Sequence, residues 1–222
     1  YIINVVMTVP ALIWMDKWGR RWPLMIGAFL MMSFMFANAG MMGGTGIVKP
    51  EGVNGVKQQS MLVSGAPAKG LIACTYLFVA SYAITWGPVS WVYPPEVYPL
   101  RVRGKAVALA TSANWAFNTA LAAFVPTAFE TIRWKVYIIF GVFNLCMLIH
   151  VAFLFPETAG KTLEEVQLIF EDPNGLPYIG TPAWKTKKAT AGMAEVERGN
   201  VGHKGMDEKS IDEVDNVEVK GV

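Results

Sequence analysis

GLIACTYLFVASYAITWGPVSWVYPPEVYPLRVRG, residues 70–104, holds two opposed signals. Residues 70–95 carry no charge, and a helix needs about 20 apolar residues to cross a hydrocarbon core of roughly 30 Å. Inside that run stand Pro88 and the pair Pro94 and Pro95, with Trp86 and Trp91 close by. Glu96, Arg101 and Arg103 follow at once. Pro88 removes a backbone donor and clashes with the preceding turn, so the helix should kink near Gly87. The stretch reads as a membrane span that breaks towards one end and surfaces in a charged loop.

The rest of the chain repeats the apolar half of that pattern. Of its 222 residues 53% are hydrophobic and 16% charged, against about 25% charged in a globular domain. Residues 22–48, 106–129 and 136–156 are also free of charge. Residues 1–15 form a further apolar run, shorter than a full span. The expected fold class is an all-α integral membrane bundle with spans near 23–43, 70–93, 105–129 and 135–155. Tyr1 stands inside an apolar run without a basic leader or cleavage site, so the run is not a signal peptide. The chain is therefore expected to be the C-terminal piece of a longer polytopic protein.

Three regions follow: a transmembrane bundle (1–156), an amphipathic helix (157–171) and a disordered tail (172–222). Thr162 and Glu165 make a capping box, and Leu163, Val166 and Phe170 share one face of the helix that should follow, lying at the membrane surface. Pro, Gly, Lys and Glu dominate beyond Asp172, a composition that cannot bury a core. Residues 44–69 read as a long flexible loop. Lys17, Arg20 and Arg21 crowd one short loop, and Arg101, Arg103 and Lys105 another on the same side. By the excess of basic residues in cytoplasmic loops, that side and the C-terminus are cytoplasmic.

Polar residues inside the spans carry the functional signal. Thr111, Asn114, Trp115 and Asn118 recur at three- and four-residue spacing, which places them on one helical face. An asparagine in hydrocarbon needs a partner, so this face looks at other helices or at a watery cavity. Interhelical hydrogen bonding and substrate contact both satisfy that need, and Asn4 poses the same choice. Trp91 is either an interfacial belt residue or a stacking platform beside the kink. A sugar offers C–H bonds on its ring face and hydroxyls at its rim, which suits a flat aromatic face together with side-chain amides. Trp91, Trp115, Asn4, Asn114 and Asn118 supply that mixture. Asp16, Arg20, Arg21, Glu96, Arg101, Arg103 and Glu157 fall at one set of span ends, where opposite charges could anchor the helices or pair as a two-state gate.

DKWGRR (16–21), GPVSWVYPPEVYPLRVRG (87–104), ANW (113–115) and PETAGKTLEE (156–165), in this order and spacing, resemble the C-terminal half of a sugar porter of the major facilitator superfamily. The wording is most similar to fungal monosaccharide transporters, over residues 1–170. The resemblance implies spans eight, in part, to twelve of a twelve-span fold. Asn4 then matches a sugar-binding asparagine of span eight, Trp91 the tryptophan after the span-ten break, and Asn114 and Trp115 the asparagine–tryptophan pair of span eleven. Tyr82 falls at an aromatic position near the site. Ala83 stands where mammalian glucose transporters carry a glutamate. Asp16, Arg20, Arg21, Glu96, Arg103 and Glu157 match the cytoplasmic charge network that closes the inner gate.

The implied function is monosaccharide transport by alternating access, with the plasma membrane as the location. The partners are then a hexose-like sugar, the lipid bilayer and the missing N-terminal bundle, without which the chain should be inactive. No cofactor is implied, and proton coupling stays open for a longer parent. Two alternatives keep the fold: a sugar sensor, and a carrier of quinate or another polyol. An enzyme lacks support, since the sequence offers no paired carboxylates in reach, no nucleophile–histidine arrangement and no phosphate loop. His150 is alone in its span and His203 lies in the tail. Cys74 and Cys146 sit one to a span and define neither a disulfide nor a metal site. A net charge of +2 gives no cause to expect nucleic acid as a partner.

Overall fold

A computed structural model of the chain describes residues 2–48, 61–170 and 182–186. The apolar runs become helices: α1 (Ile2–Trp18), α2 (Arg21–Thr45), α3 (Ala66–Ile84), α4 (Trp86–Val97), α5 (Arg103–Thr131) and α6 (Lys135–Leu154). Gly19, at φ 85°, ends α1 and turns the chain into α2, as expected of a residue without a Cβ at a helix C-terminus. Pro23 lies in the first turn of α2, where no N–H is required of it.

α2 is the centre of the bundle. It packs along α3 on one side and α6 on another. Its buried positions include Gly27, Ala28 and Ala39 as well as Leu24 and Met31. Small residues of this kind let helix backbones approach closely where hydrocarbon gives no hydrophobic drive between helices. Leu24 of α2, Val89 and Tyr93 of α4, and Val151 of α6 form the main buried cluster.

The break in the proline-containing span falls at Thr85, between α3 and α4, rather than near Gly87. The physical reason is the reach of the proline effect. Pro88 cannot donate to the carbonyl four residues back, and that carbonyl belongs to Ile84, the last residue of α3. The break is braced from two sides. The Thr85 hydroxyl donates to Ser81 O at 2.7 Å, and the Trp86 indole N–H donates to Leu24 O at 3.0 Å. A Cβ on Gly27 would collide with Thr85, so the broken turn nests against α2 only because glycine stands there.

Three helical stretches are long and apolar enough to cross a membrane among the described residues: α2, α3 with α4, and α6. α5 has the length, 29 residues, but Thr111, Ser112, Asn114, Asn118 and Thr119 lower its hydropathy. It lies at the margin, with light packing on α4 and α6.

Two other segments depart from expectation. Within the long loop, β1 (Ile47–Val48) pairs antiparallel with β2 (Met61–Leu62); the intervening residues lie outside the described set. Residues 182–186 belong to the stretch read as a disordered tail, yet Ala183–Lys185 form a 3-10 turn. Trp184 packs edge-on against Phe153 of α6, with ring centroids 5.8 Å apart. That ring contact and the buried Ala183 hold these few residues against α6 despite the polar composition around them. The remainder of 172–222 lies outside the described residues. The capping box at Thr162 and Glu165 forms in both directions, at 2.7 and 3.3 Å, and starts α7 (Leu163–Phe170). Its buried residues are Val166 and Ile169, while Leu163 is exposed. α7 packs on α4, so its apolar side serves the bundle as well as any surface.

Candidate functional site

The charged span ends and the polar face of α5 form two separate constellations. The first lies where the α1–α2 turn, the end of α4 and the segment after α6 meet. Glu157 is 3% exposed. Its Oε1 accepts from the backbone N–H of Arg20 at 2.8 Å and of Ala159 at 3.0 Å. Its Oε2 accepts from the N–H of Arg21 at 3.1 Å. A carboxylate held by N–H groups at the start of a helix also meets the positive end of the helix dipole. Gly19 makes the approach possible, because a Cβ there would lie 2.5 Å from Glu157 Oε2.

Arg20 reaches a second carboxylate with its side chain. Its Nη2 donates to Glu96 Oε1 at 2.9 Å and its Nε to Oε2 at 3.3 Å. This is the forked geometry that makes arginine–carboxylate pairs specific. The Thr158 hydroxyl donates to Glu96 Oε2 at 2.7 Å. Arg20 therefore joins two acidic residues, Glu157 through its backbone and Glu96 through its guanidinium. Beneath them, Tyr93 OH donates to Pro156 O at 3.0 Å and its ring stacks on Phe155 at 4.9 Å. The Glu157 N–H donates to the Thr186 hydroxyl oxygen at 2.8 Å.

This knot contains fewer of the expected side chains than the list of charges suggested. Arg20, Glu96 and Glu157 meet. Arg21 contributes its backbone N–H, but its guanidinium turns to Ala152 O at 2.8 Å and caps the end of α6. Arg103 donates from Nε to Tyr98 O at 3.1 Å, inside its own loop. Asp16 lies on α1 with its side chain outside the described set. Thr158, Tyr93 and Gly19 were not singled out from sequence. Their one signal was position, beside Glu157, beside the proline pair and inside the charged turn.

The second constellation is spread out. Trp91 on α4 is 59% exposed and Trp115 on α5 is 63% exposed. Tyr82 on α3 and Asn114 and Asn118 on α5 are exposed too. Asn118 Nδ2 donates to Asn114 O at 2.9 Å and to Asn114 Oδ1 at 3.2 Å. The two asparagines thus form one polar ridge midway along α5. Asn4 is half-buried on α1, and its carbonyl accepts from Thr8 Oγ1 at 2.8 Å. Among the described residues no hydrogen bond joins Asn4, Tyr82, Trp91 and the α5 ridge to one another. They line surfaces rather than a closed pocket. Ala83 is fully buried.

Residues 1–170 match the family described as sugar (and other) transporter. The chain belongs to that family. This sugar-transporter chain is 44% identical over 200 residues to an MFS glucose transporter of Aspergillus flavus, a match covering 89% of the chain and 36% of the relative. It is 46% identical over 189 residues to a high-affinity glucose transporter of Kluyveromyces lactis, covering 84% of the chain and 33% of the relative. Among solved structures, the inward-open xylose transporter XylE from E. coli superposes with a TM-score of 0.62 at 30% identity, over 75% of the chain and 33% of that protein. The sugar-transporter chain thus spans about a third of the length of the curated relatives it matches. Its helices form part of a major facilitator fold, and with that family and three membrane-length helices it is an integral membrane protein. The family is one of transporters, not enzymes.

Proposed function

We propose that this chain supplies most of the C-terminal bundle of a carrier that moves a hexose-like monosaccharide across the plasma membrane by alternating access. The observation that carries the reading is the exposed ridge of Asn114, Trp115 and Asn118 halfway along α5. Amides at membrane depth need a polar partner, and none of the described helices covers them. A sugar in a watery cavity meets that need, with its ring face against Trp91 or Trp115 and its hydroxyls at the amides. Asn4 and Tyr82 complete the surface, and a second six-helix bundle faces it. The names of the relatives, glucose transporters, support the substrate class. The similarity to the proton:xylose symporter XylE supports coupling to a proton gradient.

In this reading residues 1–156 belong to the transmembrane bundle and α7 is a helix at its cytoplasmic surface. The knot of Arg20, Glu96 and Glu157 lies on the cytoplasmic side with the C-terminus. It fixes the ends of α2, α4 and α6 relative to one another, so that they move as one body when the bundles rock.

The test replaces the matching C-terminal stretch of the Kluyveromyces lactis relative with this chain, keeping everything that precedes the stretch, and expresses the chimera in cells lacking hexose uptake. Labelled glucose should accumulate inside. Binding at the cell surface without accumulation would instead identify a sensor, and accumulation of quinate but not glucose would identify a polyol-acid carrier.

A further inference from the structure

At the end of the bundle opposite the charge knot lies an open cavity of about 830 Å³. Leu71, Val125, Pro126, Phe129 and Met61 give it an apolar wall. Its volume falls within the range of small-molecule sites, about 300–1,000 Å³. It begins at Val125, beyond the α5 ridge on the same helix, and shares no residue with the ridge or the knot.

One lining residue does not fit an apolar filling. Arg133 sits in the turn between α5 and α6 at φ 52°, a conformation uncommon for a residue with a side chain. Its N–H bonds back to Ala128 O at 3.2 Å, which fixes the turn and sets the side chain in the cavity wall. Its Nε is buried without a hydrogen-bond partner. Glu130 and Lys135 are the nearest charges along the chain, and neither is ion-paired with Arg133 among the described residues. A buried donor left without an acceptor is unfavourable, so the Nε edge of the half-buried guanidinium calls for an acceptor, and an anion suits it best.

The depth of the cavity says what kind of molecule would bring one. Its lining comes from the terminal turns of α2, α3, α5 and α6 and from the β1–β2 pair. Trp134 and Tyr137 line the same end, as aromatic residues do at a membrane–water interface. Arg133 is then level with lipid headgroups, and the apolar wall continues towards the hydrocarbon. A sugar would leave most of its hydroxyls unpaired there. An acyl chain would not.

We propose that this cavity binds an anionic phospholipid of the surrounding bilayer, its phosphate on Arg133 and part of an acyl chain between α3 and α5. The light packing of α5 on the rest of the bundle leaves the opening such a chain requires. This site is independent of the transport reading. It would hold whether the protein carries a sugar or senses one.

The test reconstitutes the full chain in nanodiscs with phosphatidylglycerol or phosphatidylcholine carrying a photoactivatable group on one acyl chain, and maps the crosslinks by mass spectrometry. Labelling at Leu71, Val125 or Phe129 should be roughly fivefold stronger with the anionic lipid, the discrimination one basic side chain gives at an anionic surface. Arg133→Gln should abolish that preference, and Arg133→Lys should retain it. Equal labelling by both lipids in the wild-type chain would overturn the proposal, showing only a cleft that any acyl chain fills. Absence of label from the cavity wall would also overturn it, showing that polypeptide covers the site.

Discussion

Glu157 is the residue on which the knot depends most heavily. It accepts three backbone N–H bonds at a buried position, and hydrogen bonds to a charged group are worth about 1.5–3 kcal/mol each. A Glu157→Gln chain presents an amide –NH2 to at least one of those donors. Its thermal unfolding midpoint in detergent should fall by several degrees. Thr158→Val removes a single hydroxyl bond to the Glu96 carboxylate and should cost about 1.5–3 kcal/mol, one bond against three and so a smaller shift in the same assay. A reversed order would show that the threonine, not the backbone cradle, holds the knot. Asn114 makes the opposite case. It is exposed and, among the described residues, bonds along its own helix, so Asn114→Ala should leave stability within about 0.5 kcal/mol. A residue of that kind is expensive to keep in a membrane unless it contacts something outside the described helices.

The broken helix is the element whose behaviour follows most directly from sequence. Pro88 deprives the Ile84 carbonyl of its partner, and the chain breaks at Thr85. Pro88→Ala restores the missing donor and should join α3 to α4. Amide exchange at residues 86–89 would then slow in detergent, whereas unchanged exchange would mean that Gly27 and the Trp86–Leu24 bond impose the break. The spans themselves were legible, because absence of charge over membrane length has few other meanings. The partners inside the knot were not. Arg20 and Arg21 are neighbours in sequence, yet successive side chains entering a helix point about 100° apart, and only Arg20 faces Glu96. The pairing of Arg20 with Glu96 and Glu157 crosses 76 and 137 positions, a distance over which spacing carries no information. The helical period placed Asn114, Trp115 and Asn118 on one face. It could not bring Asn4 or Trp91 to that face, because their helices meet it only through packing.

On the scale of the molecule, the bundle has a stabilised side and an open one. α2, α3, α4 and α6 pack into one body, and the ends of α2, α4 and α6 are tied by the knot. α5 stands at their margin with its polar ridge exposed. That asymmetry suits the proposed carrier, which needs a rigid body on one side and a surface for substrate and partner bundle on the other. The central claim is that Trp91 and Asn114 belong to that surface and not to the scaffold. The most direct measurement is initial glucose uptake by the chimera, wild type beside Trp91→Ala and Asn114→Ala at matched surface levels. Both variants should lose most of their uptake, on the order of tenfold or more for the loss of a buried sugar contact, while thermal stability is kept. Uptake equal to wild type in both would contradict the account and return these residues to the roles of interfacial belt and helix-to-helix contact.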